Sequence, residues 1–592
     1  MQVRFYLAAS AAALSVASVF ATPAFAQQIT SGIEGTVVDD AGAPVVGATV
    51  EVTDTRTGNT RTLKTGATGS FNATGLTTGG PYTVAISATG FEGQSIENLE
   101  TSIQGNTSLA FTLSAGTGEI VVTGTRVRVT QLAVGPGQSF SSEVIENAPT
   151  FNRDVRDIIR IVPRVSLDRD DTGSGQDRIS CLGGNDRGNA FTVDGISQGD
   201  VYGLNDTGFS SRSSTPLPYD AIRETQVQFA PFDVDYGQFT GCAINVVTKS
   251  GSNDYSFGAF YEYSSSDLRA DNVFDKYSGR SRNVAPIEPD KRWGAYLGGP
   301  IIKDKLFVFG AYENQKAGQS QDDGPAGAGY PNSITGVPVA EFNRISEILN
   351  RVYKIDTGEL VTSRPFTNKR YFARADWQIN DDHRFEATYQ RLEESTTRAD
   401  DFSNSSTNPR VTGVNTFYLS GTKSNYYSGR LYSQWTDAFS TELRYSRSQV
   451  QDLQDPVGGG EAQSGTPIPA IVVGIANADG TFGRVSAGPG FSRSANDLQT
   501  KIEQYRAVGK LDAGDHQIKF GGEMNRANLF NLFVQNATGT LFFRNAADLE
   551  AGLLSTGSNT NPTAAQLAGG IAVGAAGNFC TSPKAVSHSG VE

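Results

Sequence analysis

Across residues 371–390 apolar and polar positions alternate one for one. Tyr371, Ala373, Ala375, Trp377 and Ile379 fall on one side of an extended strand; Phe372, Arg374, Asp376 and Gln378 fall on the other. Successive side chains of a strand point to opposite faces, so this pattern predicts one greasy face and one charged face. Asn380-Asp381-Asp382 supplies turn chemistry. The return strand then sets Phe385, Ala387 and Tyr389 against Arg384, Glu386, Thr388 and Gln390. A second hairpin is predicted over residues 505–523, turning at Ala513-Gly514-Asp515, with Ile518 and Phe520 opposite Gln517, Lys519 and Glu523. A third pairs the segment ending at Trp435 with residues 441–446. Strands of about 10 residues with one apolar face, short turns at one end and long loops at the other are the signature of a transmembrane antiparallel barrel. Residues 318–338 and 455–492 are long, polar and Gly-rich, and are expected as outward-facing loops. Alternation alone does not say which face is wet, because a soluble sandwich shows the same period.

The first half of the chain has a different texture. Residues 31–39, 45–53, 70–73, 82–87 and 109–113 read as short strands punctuated by Asp-Ala-Gly-Ala-Pro and Gly turns, which predicts a small β-sandwich over 27–115. Residues 116–135 read as a linker holding one short β-branched strand, Ile120-Val121-Val122-Thr123-Gly124. With both edges unpaired it would suit addition to a partner's sheet; the alternative is a last strand of the sandwich. Val155, Ile158, Ile159 and Val162 then recur at helical spacing before Pro163. Asp194-Gly195 forms a tight turn between two strands, followed by strand-like runs at 222–229 and 236–251.

Residues 1–26 carry an address. Arg4 is a positive start, residues 5–20 are apolar, and Ala24-Phe25-Ala26 is a cleavage signal, so export is expected. No later run reaches the roughly 18 apolar residues of a spanning helix.

Composition narrows the classes further. The 592 residues imply several domains; 66 Gly, 33 Phe and 21 Tyr against 2 Met favour strands and turns over helical bundles. A formal net charge of −13 argues against a nucleic-acid partner, since phosphate binding wants a basic excess. Three His and three Cys leave little for a metal site, and no cofactor is expected. The acidic run at 168–177 fails as a calcium loop: Thr172 stands at an acidic ligand position and Ile179 at the terminal Glu position. There is no zinc-peptidase, phosphate-loop or nucleophile-elbow motif, and His383, His516 and His588 are scattered, so an enzyme is not expected.

Several of these segments carry family likenesses. The Gly-x-Val-x-Asp pattern from residue 35 and its continuation resemble the carboxypeptidase-regulatory-like module, which is usually not catalytic. Glu119 to Arg126 resembles the TonB box. Phe191-x-Val193-Asp194-Gly195-Ile196, the Ile222–Val227 run with Glu224, and the 236–251 run ending Ile-Asn-Val-Val-Thr-Lys-Ser-Gly resemble the plug of TonB-dependent outer-membrane receptors, in an Oar-like branch. The resemblance implies a mainly β chain: a sandwich, an α+β plug over 136–250, and the N-terminal part of a transmembrane barrel over 251–592 with an unclear tail. It implies import of an extracellular ligand, with a TonB-type periplasmic energy-coupling protein and outer-membrane lipid as partners. A non-transporting adhesion or assembly protein on the same scaffold is the alternative. Iron chelates, oligosaccharides, peptides and cobalamin all fit such an architecture. Three cysteines allow three single bridges; the plug reading favours Cys181–Cys242, because both fall within it. Barrels of this kind have 22 strands around a plugged lumen, whereas about ten amphipathic strands are legible before residue 550. A piece of a longer protein, or a truncated gene, is therefore expected, because open strand edges are not viable in lipid.

Overall fold

The predicted alternation builds the largest element. The computed structural model describes residues 29–103, 105–116, 121–122, 128–131, 137–150, 152–168, 177–202, 209–229, 239–270, 272–276, 279–283, 288–513 and 516–555. Among these, nine strands form one antiparallel sheet whose spatial order follows the chain: Ser256–Ser264, Asp290–Ile302, Leu306–Ser320, Ser363–Asn380, His383–Arg398, Tyr418–Thr436, Phe439–Leu453, Asn496–Ala513 and His516–Phe533. In the first predicted hairpin Asp376 lies opposite Glu386 and Trp377 opposite Phe385, so the two faces stay in phase. The outer face shows Trp377, Trp435, Leu443 and Phe520 about half exposed or more. Cross-strand tyrosine pairs line it, with ring centroids 4.8 Å apart for Tyr312–Tyr371, 5.1 Å for Tyr389–Tyr427 and 5.0 Å for Tyr445–Tyr505. Such pairs add cohesion to an antiparallel ladder.

The opposite face holds Arg370, Arg374, Glu386, Gln390, Arg430 and Arg444, all buried. Protein covers it: the segment between the sandwich and the sheet packs against it, and Phe309, Ala311 and Phe372 of the sheet join that segment's apolar core.

That plug segment centres on a five-stranded sheet ordered Gly137–Phe140, Ile222–Gln228, Ala243–Thr248, Ala190–Val193, Ile196–Ser197. The predicted helix is shorter than its periodicity: it spans Val155–Ile159, with Ile161 left exposed. Asp154 caps it, and Ser142–Asn147 forms a helix the apolar spacing did not indicate.

The N-terminal unit is a two-sheet sandwich. One sheet runs Ser70–Thr77, Thr30–Asp39, Thr107–Leu113, Arg128–Gln131; the other runs Asn59–Lys64, Thr49–Asp54, Gly79–Ser87, Gln94–Thr101, Val121–Val122. Ile33, Val37, Val50, Val84, Ile86 and Phe111 fill the space between them.

The long connections differ most from expectation. They are not plain loops but fold together at the end away from the short turns. Arg410–Thr412, Phe482–Ala487, Ala470–Ala476 and Thr540–Phe543 form a four-stranded sheet, and Asp323–Ala326 pairs with Asn332–Pro338. With the helices Val339–Ile348 and Ala546–Ala551 they enclose a separate core of Ile334, Phe342, Ile345, Ile471, Val473 and Phe543. The reason is local. Residues 470–476 read Ala-Ile-Val-Val-Gly-Ile-Ala, a run too apolar to stay in water. No helix among the described residues is long and apolar enough to cross a membrane.

Candidate functional site

The site begins at a turn. Asp194 and Gly195 have φ of 48° and 69°, the pair of positive values a two-residue hairpin needs, and Asp-Gly suits it. The turn places the Asp194 carboxylate inside the molecule. It accepts hydrogen bonds from the Thr248 backbone N–H at 3.0 Å and from Thr248 Oγ1 at 2.7 Å. Burial pushes the Asp194 carboxyl above its ordinary value, against the pull of Arg374 and with Glu386 adding to the rise. Phe191 and Val193 of the same motif are buried, and the Phe191 ring meets Phe209 edge-on at 4.4 Å.

Sheet side chains converge on this turn. Arg374 donates to Asp376 at 2.8 Å, to Glu386 at 2.9 Å and to Thr248 Oγ1 at 3.1 Å, and its guanidinium lies 4.0 Å from Asp194. Arg430 donates to the Asp194 carbonyl oxygen and reaches Glu386 at 3.2 Å. Arg430 also lies 3.4 Å from Glu442, so two arginines face four carboxylates, and where burial is deepest such charge pairs hold only if mutually satisfied. Further out, the Tyr219 backbone N–H donates to Glu313 at 3.0 Å, and Arg370 stands 3.5 Å from the same carboxylate. These contacts seat the plug on the sheet.

A second buried pair holds the plug itself. Asp154 accepts from Arg156 Nε at 2.9 Å, Arg156 Nη2 at 3.0 Å and the Thr215 backbone N–H at 2.9 Å. Arg156 also donates to the carbonyl oxygens of Asp177 and Ser213, both at 2.8 Å. Burial opposes the Asp154 charge, but the Arg156 guanidinium outweighs it and holds the carboxyl well below the usual range. Cys181 and Cys242 are joined by a disulfide across 61 residues, tying the Arg178–Cys181 strand to the approach to Ala243–Thr248.

The remaining sequence-predicted residues separate. Val121 and Val122 pair in parallel with Gln94 and Ser95 at the edge of the sandwich's five-stranded sheet. The expectation of two unpaired edges is therefore corrected on one side: the sandwich occupies it. Ile120, Thr123 and Gly124 lie outside the described residues, as do residues 1–26, most of the acidic run at 168–177, and the tail. His383 and His516 stand at short turns, with the His383 ring against Trp435 at 5.1 Å. Among the described residues no group of three or more His, Cys, Asp and Glu is placed to hold a metal.

Sequence reasoning placed Arg374 and Glu386 on the charged face without seeing that they meet the plug. Arg430 was not singled out at all. One signal was available: large charges in mid-strand, flanked by aromatic residues pointing the other way.

Comparison with known proteins agrees with this division of the chain. Residues 32–114 match the carboxypeptidase regulatory-like domain, residues 131–242 the TonB-dependent receptor plug domain, and residues 247–324 with 340–585 the outer membrane beta barrel domain. The TonB-dependent transporter Oar of Myxococcus xanthus is 26% identical over 311 residues, which are 50% of this chain and 27% of that protein. Among solved structures, the outer membrane transporter YddB of Escherichia coli is 16% identical with a TM-score of 0.46, covering 67% of this chain and 48% of that one. The siderophore receptor PirA of Acinetobacter baumannii is 15% identical with a TM-score of 0.41, covering 66% and 48%. The chain spans about a quarter of the curated relative and about half of these solved structures.

Proposed function

The chain belongs to the outer-membrane β-barrel family and carries a TonB-dependent receptor plug, and from that premise we propose that it captures an extracellular ligand and gates its passage across the outer membrane. The observation that carries this reading is the plug seat. Asp194 of the plug and Arg374, Glu386 and Arg430 of the sheet form one buried polar network. The apolar part of the seat, where Phe309, Ala311 and Phe372 of the sheet join the plug's core, must expose greasy surface on opening. The polar part can exchange its partners for water, at a cost that applied force can meet.

The ligand would arrive at the long-connection end, where the folded cap stands, and leave at the short-turn end, where the sandwich sits. The strand Val121–Val122 would be the point at which a TonB-type periplasmic coupling protein adds a strand of its own. Outer-membrane lipid would surround the aromatic face. Ferric chelates, oligosaccharides, peptides and cobalamin are the ligand classes to screen. No covalent chemistry is needed.

The test is uptake. Cells expressing the chain are offered labelled ferric chelates, oligosaccharides, peptides and cobalamin. For any compound taken up, Val121→Pro with Val122→Pro should abolish uptake and leave surface binding intact, because proline removes the backbone donors that pairing uses. Uptake that survives the prolines would overturn the coupling role of this strand. Surface binding with no uptake in the unaltered protein would favour an adhesion role.

A further inference from the structure

The sandwich touches two other parts of the molecule, and the two contacts are built differently. On the plug side, Glu224 is buried in the Ile222–Gln228 strand and accepts from Ser102 Oγ, from Ser139 Oγ and from the Ile103 backbone N–H at 3.3 Å. Gln226 Nε2 donates to the Ile103 carbonyl oxygen at 3.3 Å, and Arg223 Nη1 donates to the Thr78 carbonyl oxygen at 2.9 Å. Ile29 and Ile103 of the sandwich close a small apolar cluster with Val247 of the plug.

On the barrel side the contacts are side-chain pairs at the short turns and one backbone bond, from the Asn253 N–H to the Arg56 carbonyl oxygen at 2.8 Å. Arg61 meets Gln434, and Arg384 meets Thr77. Asn72 Nδ2 donates to Asp512 at 3.3 Å, and Thr74 Oγ1 lies 3.5 Å from Ser440 Oγ. Among the described residues no apolar cluster joins sandwich and barrel. Between them runs a polar cleft lined by Asp54, Arg56, Arg61, Arg384, Glu442 and Lys510.

We propose that the sandwich is a latch across the short-turn end, and that a pull on it parts the rim contacts first, so that the sandwich travels with the plug. The asymmetry follows from burial. Parting the plug contact must hydrate the Ile29–Ile103–Val247 cluster and strip Glu224 of its Ser102 and Ile103 donors together, leaving it only Ser139 of its own domain. Part-buried polar pairs beside a cleft exchange with water at little net cost. The strand Val121–Val122 hangs on Gln94–Thr101, and that strand leads directly into Ser102 and Ile103. Load entering at the edge strand crosses the ladder to Gln94 and Ser95, runs along that strand to Ser102 and Ile103, and reaches Glu224 through their hydrogen bonds.

The inference rests on the transporter reading for its purpose, but its test needs neither the ligand nor the coupling protein. The full chain is reconstituted in outer-membrane lipid, with a tip-binding tag in the exposed 40–42 turn, and pulled by single-molecule force spectroscopy. Two disulfide locks are compared, oxidised and reduced: Thr74→Cys with Ser440→Cys across the rim, and Ser102→Cys with Ser139→Cys across the plug contact. Asn72→Cys with Asp512→Cys is a second rim lock, and a pair whose reduced form departs from the unaltered trace is set aside. The expected result is that oxidised rim locks raise the first rupture force and remove the early short-extension event, while the plug lock leaves that event unchanged. A plug lock that alone raises the first rupture overturns the order of separation. Equal effects from both locks, or none from either, overturn the latch. Failure of the proline test above with success here would remove the coupling strand and leave the latch standing.

Discussion

Asp194 and Thr248, 54 positions apart, are joined twice: the carboxylate takes the threonine's backbone N–H at 3.0 Å and its hydroxyl at 2.7 Å. The hairpin turn of the plug is thereby fastened to the neighbouring strand, inside the network that seats the plug on the barrel. Asp194→Ala leaves both donors and the nearby Arg374 without this acceptor in a buried setting. The expected cost is roughly 2–4 kcal/mol of plug stability. Resistance of the plug to limited proteolysis in detergent would report it; wild-type resistance would show that the network does not depend on this carboxylate.

The Cys181–Cys242 bridge closes a loop with a sequence separation of 61. In the chain-entropy account a loop of this length is worth roughly 4 kcal/mol. Reduction, or Cys181→Ser with Cys242→Ser, is expected to lower the plug's thermal transition and leave the barrel transition in place. Scanning calorimetry with and without reductant separates the two; an unmoved plug transition would count against a stabilising bridge.

Asp154 gives a pH dependence with a definite sign. Its native carboxyl is held below the ordinary value by Arg156, against burial. The stability it supplies is full above the unfolded-state value of about 3.9 and is lost as pH falls through the lower native value. Asp154→Asn is therefore expected to be less stable than the parent at pH 7, with the gap narrowing only below about pH 4. Denaturant titrations across pH 2–7 check this, and a gap independent of pH would refute the ion-pair account.

Asp400, in the cap, behaves in the opposite sense. Burial first, then neighbouring Asp401, pushes its carboxyl up to about 6, against Arg493 and the backbone N–H groups around it. A raised acid binds its proton earlier in the folded state, so the cap should gain stability as pH falls from above 6 towards 4. Asp400→Asn is expected to stabilise the cap by about 1–2 kcal/mol at pH 7 and to lose that advantage near pH 4. Hydrogen exchange in the 470–476 strand would read the change; destabilisation at pH 7 would overturn it.

Legibility followed the range of the interactions. The hairpin at 371–390 could be read residue by residue, because alternation and an Asn-Asp-Asp turn determine both its faces and its register. The Asp194-Gly195 turn was legible for the same reason. The cap was not. Residues 470–476 carry a strong strand signal inside a stretch otherwise rich in Gly and polar residues; their partner 482–487 is local, but 540–543 on their other side and 410–412 beyond 482–487 are brought in by the barrel. The edge strand at Val121–Val122 looked unpaired because its partner, Gln94–Ser95, shares no local pattern with it.

The sequence by itself determined which faces are apolar, where the chain turns tightly and which family it belongs to, since these depend on neighbours a few residues apart and on short motifs. Only the tertiary structure decided what the charged face of the sheet meets, that the long connections share a core, and that the sandwich bridges plug and rim. Those outcomes depend on contacts such as Arg430 with Asp194, 236 residues apart, and Ser102 with Glu224, 122 apart. A buried charge reveals in sequence that it needs a partner, but not which distant segment will bring one.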